Sequence, residues 1–549
     1  MKIKFLGATT SVTGSCHLIT TQDHKVLLDC GMFQGSNELE QLNWDPFDFN
    51  PEEIECVLLS HAHIDHCGRI PLLVKRGFRG RIYCTDATAD LLPIMLRDCA
   101  SIMEKETEWT NRKNLRAGGP LVEPLYTMAD VEAALSLVTP VLYNQLIALN
   151  GSLKAVFNDA GHILGSAIIE LFIQEDDDVT KLVYSGDLGM KGRPILRDPT
   201  FIKKADFVIM ETTYGNRVHE RNSDSIEKLI EIILKTVRRG GNVIIPSFAV
   251  GRTQELIYQL NRFYEGHSEY QKELSSIMVY VDSPMATSAT EIFRRNAQVF
   301  DDETREYILR GDHPLDFKNL RFTRSVEESV ALNNDPSPKI IISSSGMCEA
   351  GRIKHHLKHN LWNPKSSIVF VGYQAVGTLG RSIVNGDKRV TIFGEKIHVE
   401  AEIYNLEGFS GHADRDGLLE WLSGFQKRPA NIFLVHGEED AKEAFAETVK
   451  NALGFDCTVV KGNTEYTLSK DSVISVEEAL DERLSPEALM QIKNRISTIH
   501  DDLERILYHT QLAIGSHLSP EQIIEIGNIV MELEKHTLNL GSVVARKQE

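Results

Sequence analysis

Short, almost unbroken apolar runs separated by Gly-, Asp- and Asn-bearing turns dominate the first 209 residues. Residues 26–28, 57–59, 168–172 and 207–210 are the clearest, and such runs predict buried strands. A helical insertion, around Leu91 to Lys113, interrupts them. From about 213 to 385 the pattern becomes strand-helix-strand, with helices predicted over 225–239 and 252–264 and strands over 242–245, 277–281 and 340–343. That alternation predicts a parallel sheet covered by helices. Residues 388 to about 465 return to short strands, including 432–435.

The last 80 or so residues follow a different period. The tetrapeptide Leu-Ser-Pro-Glu occurs at 484–487 and again at 518–521, each placed to start a helix with an N-cap Ser and a first-turn Pro. Leu489, Ile492, Ile496, Ile499, Leu503 and Ile506 follow the first; Ile523, Ile526, Val530, Leu533 and then Leu540 follow the second. These heptad-like seams, with a loop around Gly515, predict an antiparallel helical hairpin. Residues 470–549 hold 14 Asp and Glu against 8 Lys and Arg, which makes the hairpin a poor clamp for a polyanion. Its expected roles are packing on its own body, forming a homodimer or docking a protein partner, with self-packing the plainest.

At 549 residues the chain exceeds one ordinary core, so two to four domains are expected. A hydrophobic content of 42% with 25% charged residues is that of a soluble globular protein. The eight cysteines form no CxxC pair, and Cys30, Cys56 and Cys84 lie in or beside apolar runs. Buried free thiols in a reducing compartment account for them. The opening Met-Lys-Ile-Lys-Phe-Leu-Gly is too short for a secretory core, and no apolar run approaches the roughly 20 residues that span a bilayer. A cytoplasmic protein without a membrane partner is expected. The net charge of −19 argues mildly against a polyanionic partner, although a groove can confine positive charge and bound metals add to it.

The candidate chemistry starts at Val-Leu-Leu-Ser-His-Ala-His-Ile-Asp-His, residues 57–66, where His61, His63, Asp65 and His66 follow a buried run at once. Imidazole and carboxylate suit zinc and similar divalent ions. Two ligands one residue apart, then two adjacent on a new turn, are hard to aim at one tetrahedral ion and fit two ions side by side.

This stretch resembles the HxHxDH signature of the metallo-β-lactamase superfamily. Further matches are Asp29 in Lys-Val-Leu-Leu-Asp-Cys-Gly, His162 in Asp-Ala-Gly-His-Ile-Leu-Gly-Ser and Asp187 in Leu-Val-Tyr-Ser-Gly-Asp-Leu-Gly. Glu211 in Met-Glu-Thr-Thr-Tyr-Gly, His412 in Phe-Ser-Gly-His-Ala-Asp and His436 in Leu-Val-His-Gly-Glu match motifs A, B and C of the β-CASP subgroup. The resemblance covers roughly residues 1 to 465. It implies a four-layer αββα metallo-β-lactamase domain (1–209 and 388–468) interrupted by a parallel-sheet α/β β-CASP domain (210–387), with the helical hairpin (469–549) appended.

It also implies two zinc ions per chain. His61, His63 and His162 would hold one, and Asp65, His66 and His436 the other, with Asp187 bridging. Asp29 would fix a ligand histidine's tautomer, and Glu211 would orient His412, the proton donor to the leaving oxygen. Asp65, Glu211 and His412 are the catalytic candidates. Ser247, Arg252, Ser343, Ser344 and Arg381, from the inserted domain's motifs, are candidates for backbone phosphate contacts; the same Gly-rich segments could serve only as tight turns. The cluster His355, His356 and His359 reads as a solvated helix face.

The leading function is a zinc-dependent endoribonuclease on single-stranded RNA, with a 5′-to-3′ exonuclease mode beside it, in which hydroxide generated at two metals attacks the phosphodiester. Histidine at motif C is what favours RNA over DNA, by family resemblance. The alternatives are a metallo-hydrolase of a small thioester, ester or lactam, and an RNA-binding scaffold with little catalysis.

Overall fold

A computed structural model describes residues 1–175, 178–219, 222–266, 272–372, 374–375, 377–468 and 486–514, with scattered positions from 519 to 537. The chain divides into two units, one comprising 1–308 and 313–476 and the other 309–312 and 477–549.

Two seven-stranded sheets form one half of the first unit. One runs edge to edge through Thr464–Thr467, Lys2–Phe5, His17–Thr20, Lys25–Leu28, Cys56–Leu58, Arg81–Thr85 and Val138–Val141. The other runs through Cys457–Val459, Asn431–Val435, Phe207–Glu211, Asp178–Tyr184, Ala167–Glu175, Leu153–Asp159 and Leu146–Ala148. Successive side chains on a strand face opposite ways, and here both faces are covered. Ile169, Leu171 and Ile173 fill the space between the sheets with Phe5, Phe157 and Phe433. Their neighbour Ile168 packs outward with Leu418, Trp421 and Phe445, from the helices Arg415–Ser423 and Glu439–Leu453. On the other side, Leu27 and Val57 pack with Leu72, Leu91 and Val131, from Ile70–Lys75, Asp86–Ala117 and Met128–Leu135. This two-sided burial explains the unbroken apolar runs and makes the αββα sandwich.

The predicted helical insertion is longer at both ends. It starts at Thr85, whose side chain accepts the Thr88 N–H, and stops at Gly118 with φ +68°, a left-handed stop that glycine provides without strain.

The inserted sheet has six parallel strands in the order Leu320–Phe322, Met278–Val281, Lys339–Ser343, Val243–Pro246, Ser367–Phe370 and Glu402–Asn405. Its last strand lies beyond residue 387, and the hairpin Arg389–Ile392/Glu395–His398 packs through Val390, Ile392 and Ile397 on Ile353 and Leu357. The inserted sheet therefore runs about 18 residues past the boundary expected from sequence, because an amphipathic hairpin and edge strand resemble those of the flanking domain. After the insertion, Thr464–Thr467 pairs antiparallel with Lys2–Phe5.

One expectation is corrected. His356 does not lie on a solvated face; it is fully buried, with Nε2 2.6 Å from Asp282 Oδ2 and Nδ1 3.0 Å from Asn333 Oδ1. Asp282 also accepts hydrogen bonds from Ser329 and Arg352 at 2.5 and 2.6 Å and from Thr323. His355 and His359 are exposed as expected. A four-residue period cannot separate the buried histidine from its neighbours without knowing which helix face meets the sheet.

In the second unit, Pro486–Ile514 is one helix. The predicted turn around Gly515 and the seam residue Leu540 lie outside the described residues. All eight cysteines are free, six of them buried. Among the described residues, no helix is long and apolar enough to cross a membrane.

Phe433 joins the two sheets, with its ring 5.3 Å from that of Phe5 and 5.1 Å from that of Tyr466. Phe433→Ala is expected to cost about 3–5 kcal/mol, read as a lowered denaturant midpoint.

Candidate metal centre

The candidate ligands leave the sheets at strand ends. His61 and His63 follow Cys56–Leu58, and His63 is the N-cap of the short helix Ile64–Cys67, which carries Asp65 and His66. This helix lies so close to the preceding loop that a Cβ on Gly31 would stand 1.6 Å from the Asp65 carbonyl oxygen; only glycine fits. His162 sits between Leu153–Asp159 and Ala167–Glu175. Asp187 follows Asp178–Tyr184 after Gly186, whose φ is +53°, and His436 follows Asn431–Val435 with φ +50°.

These side chains meet in two clusters. In the first, His63 Nδ1 lies 3.1 Å from His61 Nε2 and 3.2 Å from His162 Nε2. In the second, His66 Nε2 is 3.1 Å from His436 Nε2, which is 3.5 Å from Asp65 Oδ2. Asp187 stands between. Its Oδ2 is 3.4 and 3.6 Å from Nε2 of His61 and His162, and its Oδ1 is 3.2 and 3.6 Å from Nε2 of His66 and His436.

Hydrogen bonds behind the rings set their tautomers. His162 Nδ1 lies 3.2 Å from the Gly411 carbonyl, which can only accept, so that nitrogen carries the proton and Nε2 presents a lone pair. His66 Nδ1 lies 2.7 Å from Asp29 Oδ2, with the same result. Asp29 also accepts from the Ser60 N–H and hydroxyl, both at 2.7 Å, and from Tyr184 at 2.6 Å. Burial alone would raise the Asp29 carboxyl, but His66 and these donors hold it below its ordinary value.

The donor set calls for a cation. His162 and His66 turn lone pairs into the two clusters, and Asp187 Oδ1 is buried without a hydrogen-bond donor. Burial pushes His63 down to about 3 and His162 well below its ordinary value, so both rings are neutral ligands at pH 7. Burial opposes charge on His66 too, yet Asp187 and Asp29 raise its proton affinity well above the ordinary value. A divalent metal meets the same electrostatic demand, and imidazole with carboxylate is the ligand chemistry of zinc.

Beside the clusters, His412 Nδ1 is 3.1 Å from both oxygens of Glu211 and 4.0 Å from Asp187 Oδ2. Glu211 is held in turn by the Leu188 N–H and the Thr213 hydroxyl, each at 2.6 Å. Burial disfavours the imidazolium, but Glu211 and Asp187 raise His412 to about 9. Its ring is partly exposed.

The inserted-domain candidates are less uniform. Arg252 adjoins the centre: a Cβ on Gly411 would stand 3.3 Å from His162 Cε1 and 3.4 Å from Arg252 Nη2. It is buried, lowered to about 10 by desolvation, and paired with Glu255. The Ser247 and Ser343 hydroxyls are buried and donate to the carbonyls of Phe248 and Asp282 at 3.3 and 2.8 Å. The Ser344 hydroxyl donates to Ser283 Oγ at 3.0 Å, and Arg381 reaches the Gln374 carbonyl at 3.4 Å; both are partly exposed. Ser60, Tyr184 and Thr213, which orient carboxylates and rings here, escaped the sequence reading. Their only signal was nearness to a ligand in the chain.

The αββα sandwich with this divided ligand set defines a metal-dependent hydrolase of the metallo-β-lactamase superfamily. Family models match as "Metallo-beta-lactamase superfamily" over residues 9–127, "Beta-Casp domain" over 253–383 and "Zn-dependent metallo-hydrolase RNA specificity domain" over 396–460. Ribonuclease TTHA0252 of Thermus thermophilus is 40% identical over 440 residues, 80% of this chain and 94% of that protein. Transcription termination factor FttA of Methanocaldococcus jannaschii is 33% identical over 82% of this chain and 69% of its own length. An RNase J-like protein of the same organism is 31% identical over 82% and 96%. The chain belongs to the β-CASP family of this superfamily.

Gly31→Ala should displace the helix carrying Asp65 and His66. The expected outcome is a folded protein, by circular dichroism, that retains markedly less metal after gel filtration.

Proposed function

We propose that this protein is a zinc-dependent ribonuclease that hydrolyses phosphodiester bonds of single-stranded RNA, as an endonuclease with a 5′-to-3′ exonuclease mode. The observation that carries the reading is Asp187, which turns one oxygen to each ligand cluster beside the Glu211–His412 pair. His61, His63 and His162 would hold one zinc ion, and Asp65, His66 and His436 the other, with Asp187 shared. When bound, such ions polarise a phosphoryl oxygen and make water acidic enough to attack near neutral pH.

The protein's own groups do the rest. Asp29 holds His66 in its ligand tautomer. Glu211 holds His412 by Nδ1, which leaves Nε2 to give its proton to the departing ribose oxygen. A new bond from water oxygen to phosphorus replaces the bond from phosphorus to the 3′ oxygen. The upstream fragment ends in a 3′-hydroxyl and the downstream fragment begins with a 5′-phosphate.

RNA as substrate is supported by the matched RNA specificity domain and by the ribonuclease at 40% identity. His436 at motif C supports it as well. A small-ester hydrolase has no use for a six-stranded inserted domain, and a scaffold has no use for a complete ligand set. Eight free cysteines support a cytoplasmic location.

The test is cleavage of 5′-labelled single-stranded RNA. Wild type should release internal fragments with 5′-phosphates on the downstream pieces, a chelator should stop it, and zinc should restore it. Asp65→Ala should abolish cleavage, and His412→Ala should slow it by roughly 10²–10⁴-fold. Absence of cleavage by zinc-loaded wild type, with turnover of a small thioester, would overturn the assignment.

The helix Pro486–Ile514 leaves Ile496, Ile499, Ile506 and Leu507 between 44% and 58% exposed. We assign this stripe to a homodimer contact, since its heptad spacing suits pairing with a second copy. Ile499→Glu should turn a dimer into a monomer in sedimentation, with RNA cleavage per chain unchanged.

A further inference from the structure

The two metal-ligand clusters share a way of fixing a ring nitrogen that does not face the metal. In the first, Ser60 Oγ donates to Asp29 Oδ2 at 2.7 Å and lies 3.0 Å from His61 Nδ1. In the second, Thr213 Oγ1 lies 2.6 Å from Glu211 Oε2 and 3.1 Å from His436 Nδ1. A hydroxyl has one proton to give. Were it given to His436, or to the His436 carbonyl 3.2 Å away, two oxygen lone pairs would face each other at 2.6 Å across Thr213 and a carboxylate. The charge-assisted bond to Glu211 is roughly twice as strong as a neutral one. The Thr213 hydroxyl is therefore an acceptor towards His436, so His436 carries its proton on Nδ1 and turns the Nε2 lone pair to the cluster.

Glu211 sits at the meeting point. It receives the Thr213 hydroxyl, the Leu188 N–H and His412 Nδ1. Donors thus run from the ligand His436 through Thr213 into Glu211, and from the acid His412 into the same carboxylate. A ligand of the second cluster and the proton donor are oriented by one carboxylate through one hydroxyl.

We propose that Thr213 is a positioning residue for both steps: it fixes the ligand tautomer of His436 and holds the Glu211 carboxylate square to His412. This rests on the two-zinc ribonuclease reading given above. The residue is partly buried; besides its backbone N–H, 3.4 Å from Glu211 Oε2, it offers the site a hydroxyl and a methyl group, which substitution can separate. Thr213→Val keeps the shape and removes the hydroxyl; Thr213→Ser keeps the hydroxyl and removes the methyl.

Zinc retention is measured first, without RNA, by titrating the loaded full-length protein with a chromogenic chelator. Wild type should release its zinc in two steps. In Thr213→Val one step should move to lower chelator by 10–100-fold in affinity, the usual cost of losing a hydrogen-bond partner behind a metal ligand, and the other should stay in place. RNA cleavage by the same variant should show kcat reduced 10–100-fold with KM within about twofold, since no substrate contact is lost. Thr213→Ser should return both readings to within about threefold of wild type.

Three results would overturn the proposal. If Thr213→Val, folded by circular dichroism, binds zinc and turns over RNA as wild type does, Thr213 positions nothing. If Thr213→Ser loses zinc as badly as Thr213→Val, the methyl packing matters and the hydroxyl does not. If wild type takes up no zinc, the metal reading itself fails and the proposal falls with it. Should Thr213→Val not fold, Thr213→Ala carries the same comparison with Thr213→Ser, the hydroxyl again being the only polar group removed.

Discussion

A buried carboxylate ringed by imidazoles organises this molecule. Asp187 is almost wholly buried, one of its oxygens receives no hydrogen bond, and four ring nitrogens stand 3.2 to 3.6 Å from it. Such a group is expensive unless positive charge joins it. Behind the rings, Asp29, Ser60 and the Gly411 carbonyl hold the outer nitrogens of His66, His61 and His162, so that each ring, when neutral, turns a lone pair inward. Much of the architecture keeps this arrangement from relaxing. The candidate ligands come from four separate strand ends, each strand is largely buried, and a shift of one ligand requires a shift of the sheet beneath it.

The strand framework was legible because both faces of each central strand are covered, which removes polar alternation and leaves runs such as Val57-Leu58-Leu59 and Phe207-Val208-Ile209-Met210. The ligands were legible for a related reason. Histidines and aspartates at the ends of such runs have no hydrophobic explanation, and seven of them lie together in space. What escaped was the layer behind them. Ser60, Tyr184 and Thr213 are common residue types whose role depends on a partner up to 223 positions away, as with Thr213 and His436. His356 was misplaced for the opposite reason: its neighbours His355 and His359 are solvated, and only the contact with Asp282 across 74 positions distinguishes it.

The inserted domain is built round a carboxylate of its own. Asp282 lies at the end of Met278–Val281 and is hydrogen-bonded by Thr323, Ser329, Arg352 and His356. These residues follow the neighbouring strands of the parallel sheet or lie on its helices, so one buried charge ties together the edge of the sheet from which Ser247, Ser343 and Ser344 emerge. Two of those hydroxyls face carbonyls within the protein. A strand-end serine in a Gly-rich segment therefore reads as functional from sequence while acting first as a fastener.

The pairing of Thr464–Thr467 with Lys2–Phe5 has a consequence in time. The early strand Lys2–Phe5 is flanked on one side by nearly the last strand of the catalytic body, and the His436 N–H and Lys442 Nζ close on the Ala8 and Thr9 carbonyls from the same late segment. Synthesis at roughly 5–20 residues per second separates these partners by something like half a minute to a minute and a half. For most of that interval His412 and His436 have not been made, and the nascent chain, however well its early strands have paired, carries no complete centre. An enzyme that acts on RNA is thus born next to its own message without the means to cut it.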